Sequence, residues 1–498
     1  MIAATKFVRP LIANPDGDRA LLGGKAWGIQ RMLALGVPVP PAFVITTAAC
    51  GHARSVGGIP EEIRIALPEA MAVLERRTGR TFGTGAAPLL VSVRSGAAVS
   101  MPGMMDTILN LGMTPSVEQA LASHTGDAQF AADTARRFAQ QYADIVGTPA
   151  PTDAWEQLNG AIAAVFASWD SRRARAYRRE HGLDDDAGTA VTVQAMVFGN
   201  LDDASGTGVL FSRNPLTGDP EPYGEWLSRG QGEDVVSGSH EPAPLAELSV
   251  IQPAVHAQLL RLSAALEREN RDVQDIEFTV ESGHLWLLQT RSAKRTPRAA
   301  VRIAVTLADE GLITPTEALD RLDAKQITAL LLPHVDERAR ASARVLASGR
   351  PACPGVVTGI IETDTATAEK RAEAGEKIIL ARPTTDPEDT PAMFVVDAVV
   401  TEIGGATSHA AVVSRELGLP CIVGCGEGAL MPLQGTEVTV DAASGQILEG
   451  LIPVAAPIDP TVDPDLARLL EWGRMEQCTD RSWLFYALRL PHRPDAPT

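Results

Sequence analysis

The spacing of hydrophobic and polar residues changes period several times along the chain, and each change marks an element. Apolar residues recur every three to four positions in "FAADTARRFAQQYADIV" and "WEQLNGAIAAVFASWDSRRARAYRREHG", so residues about 116–181 read as helical. "AWGIQRMLALG" reads as a helix ending at Gly36, and "VPVPPAFVITTAAC" as Pro-punctuated extended chain. "APLLVSVRSG", "TAVTVQAMVFG" and "TGVLFSRNP" are strand candidates, while "AAVRIAVTLADEG" and "TPTEALDRL" make about 297–346 helical again. From "GRPACPGVVTG" onward, strand and helix signals alternate through "KIILARP", "DAVVTEIGG", "HAAVVSRELG", "PCIVGC" and "TEVTVDAASGQILEG", the pattern of an α/β domain. One more helix candidate, "PDLARLLEWGRMEQ", follows a Pro-Asp linker, and no internal repeat is visible.

Strict alternation is clearest in "DVQDIEFTVESGHLWLLQTR". Asp275, Glu277 and Thr279 fall on one face, and Ile276, Phe278 and Val280 on the other. If "SGH" is a three-residue loop with Gly283 left-handed, Glu277 lies opposite Gln289 and Asp275 opposite Arg291. That arrangement pairs a carboxylate with an amide oxygen able to share Mg²⁺, bordered by a guanidinium suited to phosphate. A solvated charged face is the alternative reading.

Composition narrows the partners. The 498 residues allow two to four domains, and 45% hydrophobic content supports folded cores. A net charge of −18, from 62 acidic against 44 basic residues, repels nucleic acid and anionic lipid, yet a few focused cations can still hold a small phosphate ligand. Five cysteines (Cys50, Cys353, Cys421, Cys425, Cys478) make no disulfide framework. With no leader or membrane span legible, the expected setting is cytoplasmic.

Candidate chemistry gathers in four further places. In "GGATSHAAVV", Thr407 or Ser408 caps a helix that opens on His409, one of only nine histidines, and Gly404 and Gly405 permit close backbone approach. The positive end of a helix disfavours imidazolium and favours a bound anion, including a phosphoryl group carried by the ring itself; a surface histidine is the competing reading. "LLGGKA" sets Lys25 at a helix start, against the dipole unless an anion intervenes, and no P-loop pattern is present. Arg94 leaves an apolar strand toward a Met- and Gly-rich loop, where it suits either a phosphate or a strand-end ion pair, with Asp106 a loop cap or ligand. Arg213 in "FSRNPLTG" and the acidic turn Gln231 to Asp234 are lesser candidates.

Taken in order, "LLGGKA", "SVRSGAAVSMPGMMDTILNLG", "SGTGVLFSRNPLTG", "GQGEDVVSG", "QDIEFT", "LLQTR" and "GGATSHAAVVSRELGLPCIVGC" resemble the phosphoenolpyruvate-utilising enzyme family over residues about 20–475, with "SMPGMMDT" typical of its dikinase branch. The resemblance implies an α/β and α+β multidomain chain. An ATP-grasp-like nucleotide-binding domain would occupy 1–296, with a helical insert at about 116–185. A helical linker region at 297–346, a swivelling phosphohistidine domain at 347–452 and a C-terminal linker helix and tail at 453–498 would follow, with hinges near 340–352 and 453–464. It implies that ATP passes its β,γ-pyrophosphoryl group to His409 with loss of AMP, and that inorganic phosphate then removes pyrophosphate. Lys25, Arg94 and Arg291 match phosphate-binding positions, with Asp275 and Arg213 as further ATP- and phosphate-binding candidates, and Glu277 and Gln289 match Mg²⁺ ligands.

The family's pyruvate site lies on a TIM-type barrel, which needs about 250 residues. Only "CTDRSWLFYALRLPHRPDAPT" follows "PDLARLLEWGRMEQ". Transfer to pyruvate, giving phosphoenolpyruvate, is therefore expected only with a barrel supplied by a separate protein. The alternatives are a phosphotransferase with another small-molecule or protein acceptor, and a non-catalytic nucleotide-binding regulator. The family likeness also implies a homodimer.

Overall fold

The computed structural model describes residues 6–475 apart from 15–16, 100, 102–104, 237–241, 324–326, 328–329, 331–333, 336–342, 453 and 456–462. Parts of both expected hinges therefore lie outside the described residues, as does the tail after 475.

Three sheets organise the chain. The first is antiparallel, with Val8–Pro10, Ala42–Ile45, Ala190–Ala195, Val91–Gly96 and Thr107–Leu111 side by side in that order. Helices Pro115–Thr125, Ala128–Val146 and Ala154–Ser168 fill the gap in sequence between its last two strands to form, and Phe130, Phe138, Leu158 and Ile162 bury against Val91, Val93 and Ile108. The second sheet is also antiparallel: Ala243–Pro244, Tyr223–Ser228, Gly206–Phe211, Gln274–Glu281 and His284–Ser292.

Helix Arg19–Ala34 lies between these sheets. Leu22, Ala26, Ile29 and Met32 share one core with Val44 and Ala190 of the first sheet and with Ile276, Phe278, Leu285 and Leu287 of the second. The "GG" of "LLGGKA" makes that approach possible. Gly23 breaks the helix at φ 74, and a Cβ there would stand 1.7 Å from the carbonyl oxygen of Gly96.

The third sheet has eight strands, in the order Val345–Ser348, Gln446–Glu449, Glu437–Asp441, Val356–Glu362, Ile378–Arg382, Ala398–Thr401, Cys421–Val423, Arg350–Cys353. Its centre, from Val356–Glu362 to Cys421–Val423, is parallel, as the β-α alternation predicts. Helices Thr365–Glu373 and His409–Leu417 cover one face. Its edge strand Val345–Ser348 begins inside the stretch expected as helical linker. Of that linker, Pro297–Asp309 and Pro315–Asp320 are helices, and helix Pro464–Met475 folds back onto them through Leu466, Leu469, Leu470 and Trp472.

Several elements have no counterpart in the pattern reading: helices Thr47–Val56, Glu61–Thr78 and Pro253–Asn270, and strand Tyr223–Ser228. Among the described residues no helix is long and apolar enough to cross a membrane.

Candidate functional site

The hairpin delivers its side chains in the expected register by a different route. Its turn has two residues, Ser282 (φ 47) and Gly283 (φ 79), which pairs Glu281 with His284. Leu288 then bulges from the ladder, and this extra residue restores Glu277 opposite Gln289 and Asp275 opposite Arg291. The face is not solvated: Asp275, Thr279 and Gln289 are buried.

Strand Val91–Gly96 brings Arg94 onto this pair. Its Nη2 donates to Glu277 Oε2 (2.9 Å) and to Gln289 Oε1 (3.0 Å), while Gln289 Nε2 donates to Glu277 Oε1. Two oxygens thus converge on one guanidinium nitrogen, a hard-donor pair already gathered about a positive charge. Lys25 approaches from the kinked helix, its Nζ donating to the Ser95 carbonyl at 2.7 Å. Burial, and next the Arg94 cation, push the Lys25 ammonium down to about 7, against the pull of Glu277. Arg291 is oriented by Nε donation to Asp275 Oδ2 at 2.8 Å. Burial pushes the Asp275 carboxyl up despite this partner, and its Oδ1 is buried without one among the described residues. Asp275 thus contacts the cation cluster through Arg291.

Arg213 departs from expectation. Its guanidinium is spent on Glu267 (2.8 Å) and Glu310 (2.6 Å), which tie the second sheet to helices Pro253–Asn270 and Pro297–Asp309. These ion pairs push its pKa up and leave it a structural cation, apart from the Lys25–Arg94–Arg291 cluster. Asp106 likewise pairs with Arg173, which also reaches Glu388 of the third-sheet domain at 2.9 Å.

His409 is the first residue of helix His409–Leu417, and Ser408, not Thr407, is its N-cap, accepting from the Ala411 N–H. The loop before it is gripped from the second sheet. Glu225 accepts from the Ala406 N–H (3.1 Å) and the Thr407 hydroxyl (2.7 Å). A Cβ on Gly405 would meet that carboxylate at 2.5 Å, so glycine is what admits it. Gly404 turns the chain at φ 128. Glu225 was not legible as a site residue, because its strand was not. Neither was Thr385, whose Oγ1 lies 3.3 Å from His409 Nδ1.

His409 Nε2 is buried with no partner among the described residues. Burial pushes the imidazole down to about 4, Arg173 adds to the shift, and Asp386 and Asp389 oppose it without prevailing. The ring is thus neutral at physiological pH, as a nucleophile must be. The far end of its helix lies over the hairpin. The Arg415 guanidinium stands 5.8 Å from the Phe211 ring centre, and Lys294 Nζ meets Glu416 at 2.6 Å. The histidine domain is therefore docked beside the cation cluster, although no hydrogen bond among the described residues joins His409 to Lys25, Arg94 or Arg291.

Two family models match the chain. One describes the pyruvate phosphate dikinase AMP/ATP-binding domain and covers residues 19–76 and 55–247; the other describes the mobile domain of PEP-utilising enzymes and covers 374–445. Pyruvate, phosphate dikinase of Rhizobium meliloti (strain 1021) is 41% identical over 92% of this chain and 58% of its own length. That of Clostridium symbiosum is 40% identical over 91% of this chain and 59% of its own length, and the chloroplastic enzyme 1 of Arabidopsis thaliana 37% over 92% and 53%. The chain thus spans less than two thirds of the length of the relatives it matches.

Proposed function

We propose, since this chain belongs to the phosphoenolpyruvate-utilising enzyme family, that it is a pyruvate, phosphate dikinase-like phosphotransferase with His409 as its phosphoryl carrier. The observation that carries the reading is the neutral imidazole of His409, its Nε2 buried without a partner among the described residues, at the N-terminus of a helix whose far end docks near Arg291. With Nδ1–H donating to Thr385, the Nε2 lone pair is free to attack. It forms a bond to the β-phosphorus of ATP, the bond from that phosphorus to the α,β-bridging oxygen breaks, and AMP leaves. Inorganic phosphate then attacks the γ-phosphorus, pyrophosphate leaves, and one phosphoryl group stays on His409.

Lys25, Arg94 and Arg291 neutralise charge on the polyphosphate and hold it in line, so positioning and electrostatics supply most of the catalysis. Glu277 and Gln289 would hold Mg²⁺ through their side-chain oxygens, and the ion would supply charge neutralisation there. In that state Arg94 gives up part of its present hold on the two side chains and turns toward phosphate.

The acceptor we propose is pyruvate, bound on a barrel-type domain outside these residues, and the assembly we propose is a homodimer. The proposed setting is the cytoplasm, consistent with four buried free thiols. Incubation with Mg²⁺, phosphate and ATP labelled at the β-phosphorus is expected to leave acid-labile label on the protein. Adding pyruvate with a separate barrel domain should discharge it as phosphoenolpyruvate. Equal labelling of His409→Ala rejects the reading.

A further inference from the structure

The helix that opens with His409 carries Glu416 in its last turn, with a side chain only 8% exposed. One of its oxygens, Oε1, takes Lys294 Nζ at 2.6 Å and the Tyr177 hydroxyl, with His181 Nε2 at 3.9 Å. All three partners belong to the nucleotide-binding half. Tyr177 and His181 lie on or next to helix Arg172–Glu180, and Lys294 follows the strand that carries Gln289 and Arg291. The same place has an apolar seal: His181 stacks on Tyr177 at 4.0 Å, and Phe394 of the histidine domain packs against the Tyr177 cluster.

Charge makes the contact depend on Glu416. Arg415, beside it on the helix, is buried with Nε and Nη2 unpartnered among the described residues, and it shares Asp275 electrostatically with Arg291. Arg291 also lies within reach of the Glu416 charge. Three cations (Arg291, Lys294, Arg415) thus meet the carboxylates of Asp275, Glu277 and Glu416 where the halves touch. Without Glu416, Lys294 loses its carboxylate partner and one negative charge is lost from between the cations of the two halves, so the contact weakens.

We propose that Glu416 is a positioning residue, a latch that holds the C-terminal end of the histidine helix on Lys294 and Tyr177 and so aims His409 at the nucleotide site. It acts two helical turns from the imidazole, about 10 Å along the axis, and touches no reacting atom. Because Lys294 lies three residues beyond Arg291, the latch binds the histidine domain to the segment that continues the strand carrying Gln289 and Arg291. Its catalytic consequence rests on His409 being the phosphoryl carrier; its effect on docking does not.

The test has two readouts on the full chain. Spin labels at the exposed positions Ile65 and Lys370, one in each half, with Cys478 replaced by Ser, report the distance between halves. Glu416→Gln is expected to add a longer-distance population that wild type lacks. At saturating Mg²⁺ and ATP, the rate of His409 labelling should fall about 10-fold while the ATP concentration for half-maximal rate changes less than twofold. Lys294→Met should do the same, and the double variant should be no worse than either single one, because both remove one contact. An unchanged distance distribution, or additive losses in the double variant, overturns the latch. Should wild type fail to label at all, the carrier reading fails and the distance readout still judges the latch.

Discussion

Lys25 is a charge held at the edge of losing its proton. At about 7, against 10.5 for an unburied lysine, it is largely neutral at pH 8 when no anion is near. A polyphosphate beside it favours the ammonium, so binding above pH 7 takes up a proton. ATP affinity is expected to weaken from pH 7 to 9, with uptake approaching one proton per site, read by calorimetry in buffers of different ionisation heat. Lys25→Met should abolish the uptake and weaken binding about 10-fold; pH-independent binding by wild type would refute the role. In the unliganded protein the sign is opposite. The unfolded chain holds this proton up to 10.5, so between about 7 and 10.5 Lys25 makes the fold gain stability as pH rises.

The elements show why some of the site could be read from sequence and some could not. Alternation in "QDIEFTV" fixes which residues share a face, and that rule carried Glu277, Gln289, Asp275 and Arg291 to the right partners. The turn was read one residue too long, and the bulge at Leu288 made up the difference, so a correct pairing came from two departures that cancel. Only the doublet Leu287-Leu288 hints at the bulge, by breaking the alternation. Glu225, Thr385 and Arg213's two carboxylates are set by contacts between elements far apart in the chain, which local periodicity does not encode. The loop before His409 gives a direct test. Gly405→Ala puts a methyl into the space of the Glu225 carboxylate, so the histidine domain should lose its hold on the second sheet. His409 labelling is expected to fall at least 10-fold with the melting temperature nearly unchanged; normal labelling would show that the glycine is not needed for docking.

Across the whole molecule, the α/β histidine domain was legible because strands and helices alternate within about a hundred residues. The interleaving of the first two sheets was not, since Arg19–Ala34 reaches the second through residues some 250 positions later. Nor does sequence show that helix Pro464–Met475 returns to Pro297–Asp309. Leu469 is fully buried in that contact, and Arg298 pairs with Asp463 (2.7 Å) and Asp465 (3.1 Å). Leu469→Ala should cost about 2–4 kcal/mol of stability, measured by urea unfolding; a loss below about 0.5 kcal/mol would mean the helix is not docked in solution.

That returning helix bears on how a carrier domain can travel. The chain passes into the histidine domain after helix Pro315–Asp320 and out of it before Pro464–Met475. On the way in and out His334–Val335 pairs antiparallel with Val454–Ala455, and the helices are joined by leucines and ion pairs. A body suspended from two neighbouring anchors swings about the line between them and cannot wander off on a free leash. On the proposal that His409 carries the phosphoryl group, its imidazole is expected to sweep an arc rather than search a volume, meeting an acceptor at a fixed radius from that clasp.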